Sequence, residues 1–150
     1  MSINSIRSGG SIVSGNQDRK VLVVEDEPDM RIFLSNLLET DGFSSTCVQN
    51  RQQGMAAASR VFPSVIIIDA MLPEEEGIRM YRDLKKNRDL KHIPVVMLST
   101  FDKKTFLHYR KYQASGLGIG VPEPDAFLAK PPEAEELLKT VRKLSQQKPG

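Results

Sequence analysis

The run Val65-Ile66-Ile67-Ile68, which ends in Asp69, constrains this chain more than any other segment. Four residues are too few for a helix, and an apolar run without alternation needs cover on both faces, as in the central strand of a parallel sheet. Similar runs recur at Val21-Leu22-Val23-Val24, Val95-Val96-Met97-Leu98 and Ala126-Phe127-Leu128-Ala129, with a weaker strand at Ser44–Val48. Between them lie longer amphipathic stretches, and that rhythm predicts βα units wound around one sheet. The first helix is expected to begin at Pro28, to turn Met30, Phe33, Leu34, Leu37 and Leu38 inward, and to stop at Gly42. Further helices are expected over residues 52–62, 76–86, 105–113 and 133–144, the last started by Pro132. The fold class is therefore α/β: a five-stranded, doubly wound parallel sheet with five helices on its two faces.

The 150 residues suffice for one such domain, predicted over residues 19–147. Residues 1–18, rich in Ser, Gly and Asn and without periodicity, are expected to be a disordered tail, and 148–150 a second short one. Lys+Arg 21 against Asp+Glu 19 leaves a formal charge of +2, which gives no electrostatic case for nucleic acid or a membrane surface. Lys103, Lys104, His108, Arg110 and Lys111 beside Phe106, Tyr109 and Tyr112 are read as a solvated basic helix face, and neither His92 nor His108 is assigned to a metal. No apolar run approaches the roughly 20 residues of a membrane helix and the chain does not open like a secretion signal, so the cytoplasm is the expected location. Cys47, the single cysteine, suits a reducing compartment and is expected to be a buried strand residue.

The chemistry lies at the ends of the runs. The first is followed by Glu25-Asp26, the third by Asp69, the fourth by Ser99-Thr100 and the fifth by Lys130. If the strands are parallel, these ends share the sheet edge at which open α/β folds bind ligands. Singly, each residue has an ordinary explanation as a helix cap, a turn residue or a solvated side chain. Together they bring three carboxylates, a hydroxyl and an amine to one place. Adjacent carboxylates resist joint ionisation unless a cation offsets them. Ligands that are all oxygen favour Mg²⁺, with Mn²⁺ as a substitute. Lys130 can pair with Asp69 and then with a phosphoryl oxygen, and Ser99 can donate to another. That set describes a carboxylate attacking phosphorus to form an aspartyl phosphate.

The segments VLVVEDEPDMR, IIIDAMLPEEEG, VVMLST and FLAKPP make residues 20–146 resemble the receiver domains of bacterial two-component response regulators, with Asp69, Pro73 and Gly77 in the family's relative positions. The resemblance implies a flavodoxin-like strand order 2-1-3-4-5. It implies that Asp69 is the phosphoacceptor, that Glu25, Asp26, Asp69 and the Met71 backbone carbonyl hold the metal, that Ser99 is the switch hydroxyl and Lys130 the family's lysine, that Phe127 is the rotating aromatic, and that Lys130-Pro131 is a cis peptide. The implied protein takes a phosphoryl group from a histidine kinase or histidine phosphotransfer protein and hydrolyses it slowly. It would signal to a downstream protein through the face built from the helix over residues 105–113, the fifth strand and the last helix.

Three features depart from the commonest family pattern. Gly116–Asp125 is a long link before the fifth strand, expected to take part in partner choice. Thr100 is bulkier than usual and is expected to narrow access to Asp69. Glu74, Glu75 and Glu76 are expected to face solvent and favour the following helix N-terminus. Two alternatives remain: a degenerate receiver acting only as a binding module, against which the full residue set speaks, and a Mg²⁺-dependent phosphohydrolase, which would need a second acid where Met71 stands.

Overall fold

The structure, a computed structural model, describes residues 19–105 and 122–147. Strands β1 (Lys20–Val24), β2 (Ser44–Val48), β3 (Val65–Asp69), β4 (Val95–Ser99) and β5 (Ala126–Ala129) form one parallel sheet in the order β2-β1-β3-β4-β5. The described helices are α1 (Pro28–Thr40), α2 (Arg51–Val61), α3 (Glu76–Lys86) and α4 (Ala134–Ser145), with a 3₁₀ turn at Pro73–Glu75 ahead of α3. Among the described residues, no helix is long and apolar enough to cross a membrane.

Alternate residues of the central strands feed two separate cores, because successive side chains leave a strand on opposite faces. Leu22, Val24, Ile66, Ile68, Val95 and Met97 pack with Ala57 and Ala58 of α2 and Met80, Tyr81 and Leu84 of α3. Val21, Val23, Val65, Ile67, Val96 and Leu98 pack on the other side with Leu34 and Leu38 of α1 and Leu137, Leu138, Val141 and Leu144 of α4. Both faces of β1, β3 and β4 are thus sealed, which explains their unbroken apolar character.

Local chemistry sets the element ends. Pro28 sits at the start of α1, and after α1 the chain turns through Gly42 at φ +88°, a conformation that favours glycine. The Asn50 side chain accepts from the Gln53 N–H at 2.9 Å and caps α2, which starts one residue earlier than expected. Glu133 accepts from the N–H groups of Glu135 and Glu136 and caps α4, so the last helix begins at Ala134, one residue later than expected. Arg142 of α4 grips the Asp41 carboxylate with two bonds of 2.7 and 2.9 Å, tying the end of α1 to the closing helix.

Three expectations need correction or delimiting. Cys47 is half-buried on the edge strand β2 rather than fully buried, because only β1 pairs with that strand. Of the three acids after Pro73, Glu74 is exposed, but Glu75 and Glu76 are half-buried, and Glu76 pairs with Arg51 of α2 at 3.1 Å. Residues 1–18, 106–121 and 148–150 lie outside the described residues, and with them both expected tails, all of the helix over 105–113 except Thr105, and the Gly116–Val121 part of the long link. The end of that link is described and is anchored. Tyr81 Oη donates to the Pro122 carbonyl at 2.6 Å, and Asp125 Oδ2 accepts from the Val95 N–H at 2.8 Å.

Candidate functional site

Strand register brings the reactive residues together. Val24 pairs with Ile68, so the residues that follow, Glu25 and Asp69, emerge side by side; Asp69 pairs with Leu98 and Ser99 with Ala129. The ladder continues one bond past the last strand, since the Lys130 N–H donates to the Ser99 carbonyl at 2.9 Å. Four side chains distant in sequence, those of Glu25, Asp69, Ser99 and Lys130, thereby reach one edge through backbone pairing alone. The Lys130–Pro131 peptide that leads away from the edge is cis.

At the centre stands the Lys130 ammonium. It donates to Asp69 Oδ2 at 2.7 Å and Glu25 Oε2 at 3.1 Å, and lies 3.0 Å from Glu27 Oε1. The side chains of Asp69 and Glu25 are each 1% exposed and that of Lys130 is 9% exposed, whereas Glu27 at 61% stands at the rim. Asp69 Oδ1 accepts from the Met71 N–H at 2.7 Å, so both of its oxygens are held. Burial would lower the Lys130 pKa, but its contacts with Asp69, Glu27 and Glu25 outweigh this and raise it, keeping the group a firm cation. Burial raises the Glu25 carboxyl to about 7, assisted by the hydrogen bond and charge of Asp69 beside it.

Carboxylate oxygens of Glu25, Asp26 and Asp69 lie within 4.8 Å of one another. Glu25 Oε1 is buried and meets no hydrogen-bond donor among the described residues. A buried carboxylate oxygen without a donor carries a desolvation cost that a cation can offset. The donor set is all oxygen, one member is solvent-exposed, and His and Cys take no part. It fits a hard divalent ion that keeps part of its water shell.

Ser99 is fully buried; its Oγ accepts from the Phe101 N–H at 3.0 Å and lies 3.6 Å from the Met71 sulfur, toward which it donates. Thr100 is exposed and, with Asp26, Glu27, Met30, Met71, Lys130 and Pro131, lines a cavity of about 350 Å³. Phe127 is half-buried on β5 and packs against the core shared by α2 and α3. Of the residues singled out from the sequence, Glu25, Asp26, Asp69 and Lys130 thus form one cluster, with Ser99 and Met71 beside it and Phe127 one strand away in the core.

Two contributors escaped the sequence reading. Glu27 joins Lys130 although nothing in a run of acids says which one will turn inward. Gly77 stands out in the sequence only by its position, but a β-carbon there would lie 2.2 Å from the Asp69 carbonyl oxygen. The N-terminus of α3 therefore rests directly on the backbone that presents the central carboxylate.

Known proteins resemble this chain in both fold and sequence. The response regulator receiver domain family matches residues 21–142. The protein PilH of Pseudomonas aeruginosa is 30% identical over 122 residues, which cover 81% of this chain and 93% of PilH. The phosphate regulon transcriptional regulatory protein PhoB of Escherichia coli is 29% identical over 124 residues, 83% of this chain but only 50% of PhoB, so the chain spans about half of that relative. Among solved structures, the signal receiver domain of a signal transduction histidine kinase from Syntrophus aciditrophicus superposes with a TM-score of 0.70 at 28% identity, over 84% of this chain and 89% of that one. With the strand order, the converging strand ends and a family match that spans β1 through most of α4 in agreement, this chain belongs to the response regulator receiver domains, the phosphorylation-activated switches of two-component signalling.

Proposed function

We propose that Asp69 accepts the phosphoryl group, with Lys130, Ser99, Glu25 and Asp26 as its supporting set. The observation that carries this reading is the Lys130 ammonium held between two nearly fully buried carboxylates, one of which keeps an oxygen without a donor. Glu25, Asp26, Asp69 and the Met71 backbone carbonyl would hold Mg²⁺, with Mn²⁺ able to replace it. When bound, the ion supplies charge neutralisation for the phosphoryl oxygens. A carboxylate oxygen of Asp69 attacks phosphorus, the bond from phosphorus to the donor atom breaks, and the leaving group departs with that electron pair. Lys130 balances charge on one phosphoryl oxygen. Ser99 donates to another, which requires it to turn from the Met71 sulfur.

The donor in this reading is a phosphohistidine on a histidine kinase or a histidine phosphotransfer protein, and the setting is the cytoplasm. Phosphorylation draws Ser99 inward and Phe127 follows, biasing the face around β5 and α4 toward a downstream protein. A role as a phosphorylation-independent binding module is disfavoured by the complete acidic and basic set, and a dedicated phosphohydrolase by Met71, which supplies no second acid.

Metal removal tests the reading. With Mg²⁺ and acetyl phosphate, the intact mass should rise by one phosphoryl group that neutral hydroxylamine removes. An equal gain in excess chelator, or a gain resistant to hydroxylamine, would refute a metal-assisted acyl phosphate.

A further inference from the structure

The Lys130 ammonium has three donor hydrogens, and among the described residues three carboxylate oxygens stand within 3.1 Å of it. Two belong to buried acids that form the floor of the site. The third, Glu27 Oε1 at 3.0 Å, belongs to an exposed side chain that lines the same cavity as Lys130, Asp26 and Met71. Of the three partners, Glu25 and Asp69 are buried and Glu27 alone is exposed to water, so Glu27 is the one that an incoming phosphoryl group can displace without stranding a buried charge.

We propose that Glu27 is an internal stand-in for the phosphoryl group. In the resting protein its carboxylate satisfies the exposed side of Lys130, and an anionic donor must displace it before Lys130 can serve the transfer. The inference rests on the assignment of Asp69 as phosphoacceptor and adds a positioning residue that tunes the site's demand for anions. Local structure favours the arrangement. Glu27 immediately precedes Pro28 at the start of α1, its backbone is extended, and its N–H is fixed on Glu25 Oε2 at 3.1 Å. The backbone is therefore anchored while the side chain, 61% exposed, keeps a solvated route outward. Displacing it exposes no buried charge, unlike displacement of Glu25 or Asp69.

The experiment compares the full chain with Glu27→Gln and Asp29→Asn in Mg²⁺, measuring the second-order rate of phosphorylation by acetyl phosphate and the half-saturating concentration of beryllofluoride followed by NMR. Asp29 lies two residues further on in the first turn of α1, so its replacement removes the same unit of charge nearby, while the ion pairs of Lys130 among the described residues go to Glu25, Glu27 and Asp69. Glu27→Gln should raise the rate and lower the half-saturation by about two- to five-fold, the range of an exposed ion pair, and should flatten the dependence of the rate on salt. Asp29→Asn should change both by less than about 1.5-fold, a size set by screening of a more distant charge. Equal effects of the two variants would overturn the stand-in role in favour of general repulsion. No effect of Glu27→Gln, with the native chain still labelled and Asp69→Asn unlabelled, would overturn it while leaving the phosphoacceptor assignment in place. Labelling of Asp69→Asn at the native rate would remove both.

Discussion

Lys130→Met should slow phosphoryl uptake by about 10²–10³-fold, the scale for deleting one preorganised charge at a reacting centre. It should also destabilise the metal-free protein by about 3 kcal/mol, because removing one partner strands the buried charges it balanced. Lys130 Nζ lies 2.7 Å from Asp69 Oδ2 and 3.1 Å from Glu25 Oε2, with little water able to replace it. The stability loss should depend on pH. Glu25 has a folded pKa raised from 4.5 to about 7, so the stability linked to its proton is complete below the unfolded value and disappears as pH rises through about 7. Without Lys130 that raised value moves higher still. The variant's deficit should therefore be greatest in alkaline solution and shrink toward pH 5, as Glu25 takes up its proton. Urea denaturation of both proteins in chelator across this range checks it. A deficit independent of pH would mean that Lys130 does not act through these carboxylates.

Gly77→Ala should cost about 3 kcal/mol, the upper end for forcing extra volume into a packed region. Helix propensity alone would make alanine the better residue in α3 by about 1 kcal/mol. The β-carbon, however, would stand 2.2 Å from the Asp69 carbonyl oxygen and 3.2 Å from the Ala70 Cα, and backbone atoms cannot swing aside. Either α3 lifts or β3 shifts, and a shift of β3 carries the phosphoacceptor with it, so uptake should fall as well. Gly54→Ala is the comparison. Its β-carbon would meet the Met80 sulfur at 2.7 Å and methyl carbon at 2.8 Å, the far end of a flexible side chain that can move. Chemical denaturation should find Gly54→Ala within about 1 kcal/mol of the native chain. A Gly77→Ala protein equally stable and equally active would show that the close approach does not hold Asp69 in place.

Much of this architecture could be read from the residues because the buried strands are covered on both faces and each ends in a polar side chain. Val65–Ile68 could only be central, and once β1, β3, β4 and β5 are parallel, Glu25, Asp69, Ser99 and Lys130 must share an edge. Helix ends were less legible where capping decided them. Glu133 and Asn50 each move a helix start by one residue through side-chain bonds that hydrophobic periodicity does not report. Cys47 looked buried because it sits in a strand, but edge position is a property of sheet order, and β2 has one neighbour. Contacts across short distances were the least legible. The turn of Glu27 toward Lys130, the Ser99 contact with the Met71 sulfur and the seating of Gly77 on Asp69 depend on backbone direction within loops, for which the sequence offers acids, a methionine and a glycine but no geometry.

The phosphorylated residue can be identified covalently. After incubation with Mg²⁺ and acetyl phosphate, borohydride reduction converts an acyl phosphate to the corresponding alcohol, and tandem mass sequencing then reads where it formed. The account predicts homoserine at position 69 and at no other residue. Reduction at Glu25 or Asp26 instead, or a phosphoryl group found on Ser99 or Thr100, would contradict it.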